Sequence, residues 1–103
     1  MSSRKTAIVT GSNSGIGLAT AEALAGSGCN VVLNSFTDSE ADHKLAAELA
    51  KKHSVECVYI KADMSKPAEC RNLVAQAAKR FGSVDILVNN AGIQHVSPVE
   101  SFP

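Results

Sequence analysis

Apolar residues in this chain gather in short β-branched runs that alternate with longer stretches of helical spacing. The run "TAIVT" at 6–10, closed by Gly11, predicts a strand covered on both faces. "GSNSGIGLATAEALAGSG" then passes from small residues into a helix-forming Ala/Leu/Glu segment that stops at Gly26 and Gly28. "NVVLN" at 30–34 is a second buried strand. Residues 39–53 open with Ser39, Glu40 and Asp42 and close with Lys51, Lys52 and His53, anions at the positive end of a helix dipole and cations at the negative end.

"VECVYIKAD" at 55–63 is a third strand, β-branched and aromatic. Ser65 suits an N-cap, Pro67 a first helical turn, and Leu73, Val74, Ala77 and Ala78 an apolar helix face running to Phe81-Gly82. "VDILVN" at 84–89 is the fourth strand. No repeat or linker interrupts this βαβαβαβ order, so the fold class is α/β, a parallel sheet with right-handed crossovers and helices on both faces.

A length of 103 residues with 45% apolar content fits one globular domain. Ten basic residues balance ten acidic ones and form no single-sign stripe, so nucleic acid is not an expected partner. Cys29, Cys57 and Cys70 show no paired spacing and read as small buried hydrophobes in a reducing compartment. Ala7-Ile8-Val9 is too short for a signal core and no run approaches a membrane span, so a cytoplasmic location without membrane association is the expectation. His43, His53 and His95 stand in no metal-binding spacing, and no metal is expected.

Chemistry is expected at "TGSNSGIG", 10–17, between the first strand and the first helix. Gly11 can turn sharply off the strand, Gly15 can let a pyrophosphate approach bare backbone, and Gly17 can let the helix pack closely. First-turn N–H groups and the helix dipole favour an anion there, and Ser12, Asn13 and Ser14 can add hydrogen bonds. The bland alternative is a flexible strand-to-helix connection. A phosphate loop of the Lys-Ser/Thr type is excluded because no such pair follows the last glycine.

The pattern T-G-x-x-x-G-I-G at Thr10 to Gly17, with N-N-A-G at Asn89 to Gly92, resembles the short-chain dehydrogenase/reductase family. The resemblance covers the whole chain and implies a Rossmann-type sheet of strand order 3-2-1-4. It also implies cofactor contacts from the loop residues, including Ile16, and from Asn90, Ala91 and Gly92. "VVLNSF" and "NNAGIQHVSPVESFP" resemble, more narrowly, the bacterial D-3-hydroxybutyrate dehydrogenases of that family. That likeness implies hydride transfer between NAD and 3-hydroxybutyrate, a short 3-hydroxy acid, and gives Gln94 a place in the substrate pocket. Read from position alone, Gln94 either donates to a substrate carboxylate or bonds its own backbone. A 3-oxoacyl reductase and a non-catalytic nucleotide-binding module are the alternatives.

The cofactor choice turns on "NSFTD" after the second strand, where an acid marks NAD and a base marks NADP. Ser35 stands where many NAD-dependent members have Asp, and neither Ser14 nor Phe36 is basic, so NAD is expected by the lack of a phosphate partner. Phe36 either packs on the ribose or adenine edge or caps the core. By resemblance Asp63 and Met64 contact adenine, with a helix-leading role as the alternative for Asp63.

The family's proton-transfer unit, Tyr-x-x-x-Lys with an upstream Ser, is not found: the one tyrosine, Tyr59, lies in a strand and position 63 is Asp. No catalytic residue is expected in these residues. They read as the N-terminal dinucleotide-binding portion, 1–103, of a single Rossmann domain cut after its fourth strand, and the resemblance implies a homotetramer for the complete enzyme.

Overall fold

In the computed structural model, residues 4–12 and 15–90 are described. Four strands and three helices alternate: β1 (Thr6–Val9), α1 (Gly15–Gly26), β2 (Asn30–Ser35), α2 (Glu40–His53), β3 (Cys57–Lys61), α3 (Pro67–Phe81) and β4 (Ile86–Val88). All pairings are parallel and the order is β3-β2-β1-β4.

Alternation along each strand divides the core in two. Val9, Val31, Leu33 and Tyr59 face one way and pack with Ala21, Ala25, Ala46 and Leu49 of α1 and α2. Ile8 and Val32 face the other way against Leu73 and Ala77 of α3. The buried stripe of α1 is Gly17, Ala21 and Ala25, small side chains that let this helix lie close to the sheet. On α3, the fully buried Leu73 contributes about 2 kcal/mol by leaving water.

Helix ends explain most of the boundaries. Ser39 caps α2 in a capping box: its hydroxyl accepts from the Asp42 N–H at 3.3 Å, and Asp42 Oδ2 accepts from the Ser39 N–H at 3.1 Å. At α3 the structure corrects the sequence expectation. Lys66, not Ser65, is the N-cap and makes no side-chain cap bond, since its ammonium has no acceptor, while the Ser65 hydroxyl donates to Asp63 Oδ1 at 2.7 Å. Pro67 does open the helix, and Gly82 closes it at φ 89°, a left-handed conformation that favours glycine.

β1, β3 and β4 are shorter than the apolar runs suggested, and β2 runs one residue further, to Ser35. At the start of β4, Asp85 is fastened instead of paired: Thr6 N–H donates to its Oδ2 and its own N–H donates to the Thr6 carbonyl, each at 2.9 Å. Ile86, Leu87 and Val88 are half-buried, not covered on both faces. Of the cysteines only Cys29 is buried outright. The half-buried Cys57 thiol is pushed up to about 11 by desolvation, which leaves it unreactive at neutral pH. No described helix is long and apolar enough to cross a membrane.

Candidate functional site

The C-terminal ends of β1 and β4 lie side by side, with Val9 opposite Val88, and there the two sequence motifs meet. Thr10 is fully buried, and its N–H donates to the Val88 carbonyl at 3.0 Å. Its hydroxyl accepts from the Asn90 N–H at 2.7 Å and lies 3.1 Å from Asn89 Oδ1. Asn90 in turn donates through Nδ2 to the Gly11 carbonyl at 3.4 Å. The asparagine pair is thus a clamp on the turn that leaves β1.

Each glycine of the loop has a distinct physical demand. Gly11 sits at φ 58° and Gly15 at φ 62°, both left-handed. A Cβ on Gly15 would meet nothing within 4 Å, so the start of α1 is open on that side. A Cβ on Gly17 would run into the Gly11 carbonyl and stand 2.6 Å from Asn90 Nδ2. Gly17 therefore serves the clamp, a contact more specific than the helix-on-sheet packing expected of it.

This cradle fits a pyrophosphate. The first-turn N–H groups of α1 have no intrahelical acceptors, the helix dipole is positive there, and the first turn holds no acidic side chain to repel an anion. Ile16 beside it is 74% exposed. Ser12 is a correction. It is 0% exposed, its hydroxyl donates to the Val9 carbonyl at 2.6 Å and accepts from the Asn34 N–H at 2.9 Å, and its own N–H donates to the Asn34 carbonyl at 2.8 Å. Ser12 braces the loop against β2 and has no group left for a phosphate. Asn13, Ser14, Ala91, Gly92 and Gln94 lie outside the described residues.

At the end of β2, Ser35 is buried, and the Thr37 hydroxyl lies 3.5 Å from the Tyr59 phenol. Phe36 is 71% exposed, so it does not cap the core; its ring is open to a ligand. Asp63 Oδ1 accepts from the N–H and hydroxyl of Ser65 at 3.0 and 2.7 Å, bonds that hold its carboxyl below the usual carboxylate range. It leads into α3 as the bland reading had it, and its second oxygen makes no described bond. Met64 packs against the α3 side of the core, with the Cys70 thiol donating to its carbonyl at 3.3 Å.

Pairing brings in a residue the linear sequence did not flag. Lys61 stands opposite Ser35 in the β2–β3 register and is exposed, so a cation does lie at this end of the sheet. Its field also lowers the Asp63 pKa. Tyr59 is unsuited to proton transfer: it is 5% exposed, donates to the Thr37 carbonyl, and burial pushes its phenol above the usual range.

The chain belongs to the short chain dehydrogenase family, which it matches over residues 5–103. It is 51% identical over 100 residues to the D-beta-hydroxybutyrate dehydrogenase of Cupriavidus necator, covering 96% of this chain and 38% of that protein. Its fold matches an NADH-dependent reductase solved with NAD (TM-score 0.79, 37% identity, 98% of this chain and 42% of that one). It matches equally the L-sorbose reductase of Gluconobacter frateurii solved with NADPH (TM-score 0.80, 36% identity, 98% and 38%). The chain spans about 38% of the length of the curated relatives it matches.

Proposed function

We propose that this chain binds NAD at the C-terminal end of its sheet and serves as the cofactor-holding part of a 3-hydroxybutyrate dehydrogenase. The observation that carries this is the clamp of Asn90 on Thr10 and Gly11, which holds the loop open at Gly15. In this reading the start of α1 takes the pyrophosphate, Phe36 packs beside the ribose, and the free oxygen of Asp63 accepts from the adenine amine. NAD supplies the hydride acceptor for the hydroxyl-bearing carbon of the substrate, which becomes acetoacetate. Nothing among the described residues is placed to move the hydroxyl proton, so the chain's part is to bind and orient. Gln94, by its position after the fourth strand, donates to the substrate carboxylate.

NAD is favoured over NADP because Ser35 is buried and Phe36 carries no charge. Lys61 is the one described cation beside Ser35 across the sheet, and Asp63 shares its field. The test is formation of NADH, followed by absorbance, from D-3-hydroxybutyrate and NAD by the full-length protein. Turnover with Gln94→Ala raising KM supports the reading; no turnover of any short 3-hydroxy acid contradicts it.

A further inference from the structure

The β2 strand follows its buried aliphatic run Val31 to Leu33 with a fully buried polar residue. Asn34 is 0% exposed, and its alternation places it on the α3 face with Val32. Its Nδ2 donates to the Ile60 carbonyl at 2.9 Å and approaches the Ala62 carbonyl at 3.4 Å. Two acceptors on that side fix the amide's orientation, since an oxygen there would face them without a proton. Its Oδ1 points away and meets no donor among the described residues. A buried acceptor without a donor costs stability and works against the donations from Nδ2, so the side chain's net contribution to stability is small.

What Asn34 joins is the two nucleotide-facing segments. Its main chain holds Ser12 at the root of the glycine loop through the reciprocal bonds at 2.8 and 2.9 Å. Its side chain grips the end of β3, where Ala62 leads to Asp63 and Met64.

We infer that Asn34 is a positioning residue for the nucleotide, fixing the glycine loop relative to the Ala62–Met64 segment without touching the ligand. This rests on the placement of the cofactor proposed above. Its Oδ1 keeps no partner because the residue is held for the reach of its amide nitrogen, which neither Val nor Leu provides.

The test uses the full-length protein with Asn34→Val and Asn34→Thr, measuring melting temperature and calorimetric Kd for NAD and for AMP. Asn34→Val should keep its melting temperature within a few degrees while Kd rises about tenfold for both ligands, the loss of one donor network. Asn34→Thr, with one donor kept, should recover part of that affinity. Unchanged Kd in Asn34→Val overturns the inference. So does an affinity loss in both variants that accompanies a fall of more than about 10 °C in melting temperature, the mark of a purely structural part. A wild-type protein that binds neither NAD nor AMP overturns the functional reading itself, and the inference with it.

Discussion

The Asn90 N–H donates to the Thr10 hydroxyl at 2.7 Å, across 80 positions of sequence, and this bond joins the two family motifs into one structure. The Thr10 hydroxyl lies against both the Val88 carbonyl and Asn89 Oδ1, so it anchors the whole end of β4. Thr10→Val keeps the shape and removes these bonds. It should cost about 1–3 kcal/mol in chemical denaturation, the range for leaving a buried donor unpaired, and should weaken NAD binding. Thr10→Ser should retain most of both. Equal stability of the valine and serine variants would show that the hydroxyl does not anchor β4.

The glycines of the loop should separate cleanly by substitution. Gly17→Ala drives a methyl into the Gly11 carbonyl and the Asn90 side chain, so it should displace the clamp and abolish measurable NAD binding. Gly15→Ala meets no atom within 4 Å and strains only φ, at about 1–2 kcal/mol. The check is calorimetric titration of both variants with NAD. A Gly17→Ala protein that binds as well as wild type would mean that the close approach is not required.

Much of the fold could be read along the chain because each boundary has a local cause. The α2 capping box, Pro67 and Gly82 all act within a turn of their own helix, and the apolar runs reported four strands in the right order. The β3-β2-β1-β4 order and the division of helices between faces also came out as expected. What escaped depends on partners far off in sequence. Ser12 looked like a phosphate ligand until Asn34, 22 positions away, proved to occupy its hydroxyl. Ser65 is the exception, its hydroxyl turned to Asp63 only two residues back. The second Asn of "NVVLN", Asn34, gives no signal at all until β3 is laid beside it, and Lys61 became relevant only through its register with Ser35.

Helices α1 and α2 are fastened by charge. Glu22 accepts from Lys52 Nζ at 2.5 Å and lies 3.3 Å from His53 Nε2, and the bond from Lys52 is the main cause holding its carboxyl below the usual range. A depressed folded pKa stabilises the protein above the unfolded carboxylate value and stops doing so as pH falls through the folded one. Glu22→Gln should therefore cost a little stability at neutral pH, where the exposed pair is screened, and make the acid limb shallower, the two profiles converging below the ordinary carboxylate range. Acid unfolding that coincides for the two proteins would remove Glu22 from that limb.

Lys61 tests the cofactor preference. If NAD is the ligand, Lys61→Ala should leave Kd for NAD within about twofold and weaken NADP further, since an exposed cation favours a 2′-phosphate only modestly. Parallel titrations with both cofactors check this. Tighter NADP binding than NAD in the wild-type protein, lost in Lys61→Ala, would reverse the assignment.

In the proposed function a dinucleotide sits at the C-terminal end of β1 and β4, over the start of α1. Titrating the isotope-labelled full-length protein with NAD and following backbone amide resonances tests it residue by residue. The largest shifts should fall at Gly11, Gly15, Ile16, Gly17, Phe36, Asp63 and Asn90, with Glu40 and Lys44 unmoved. Saturable binding with shifts elsewhere, or no shifts at Gly15 to Gly17, would contradict it.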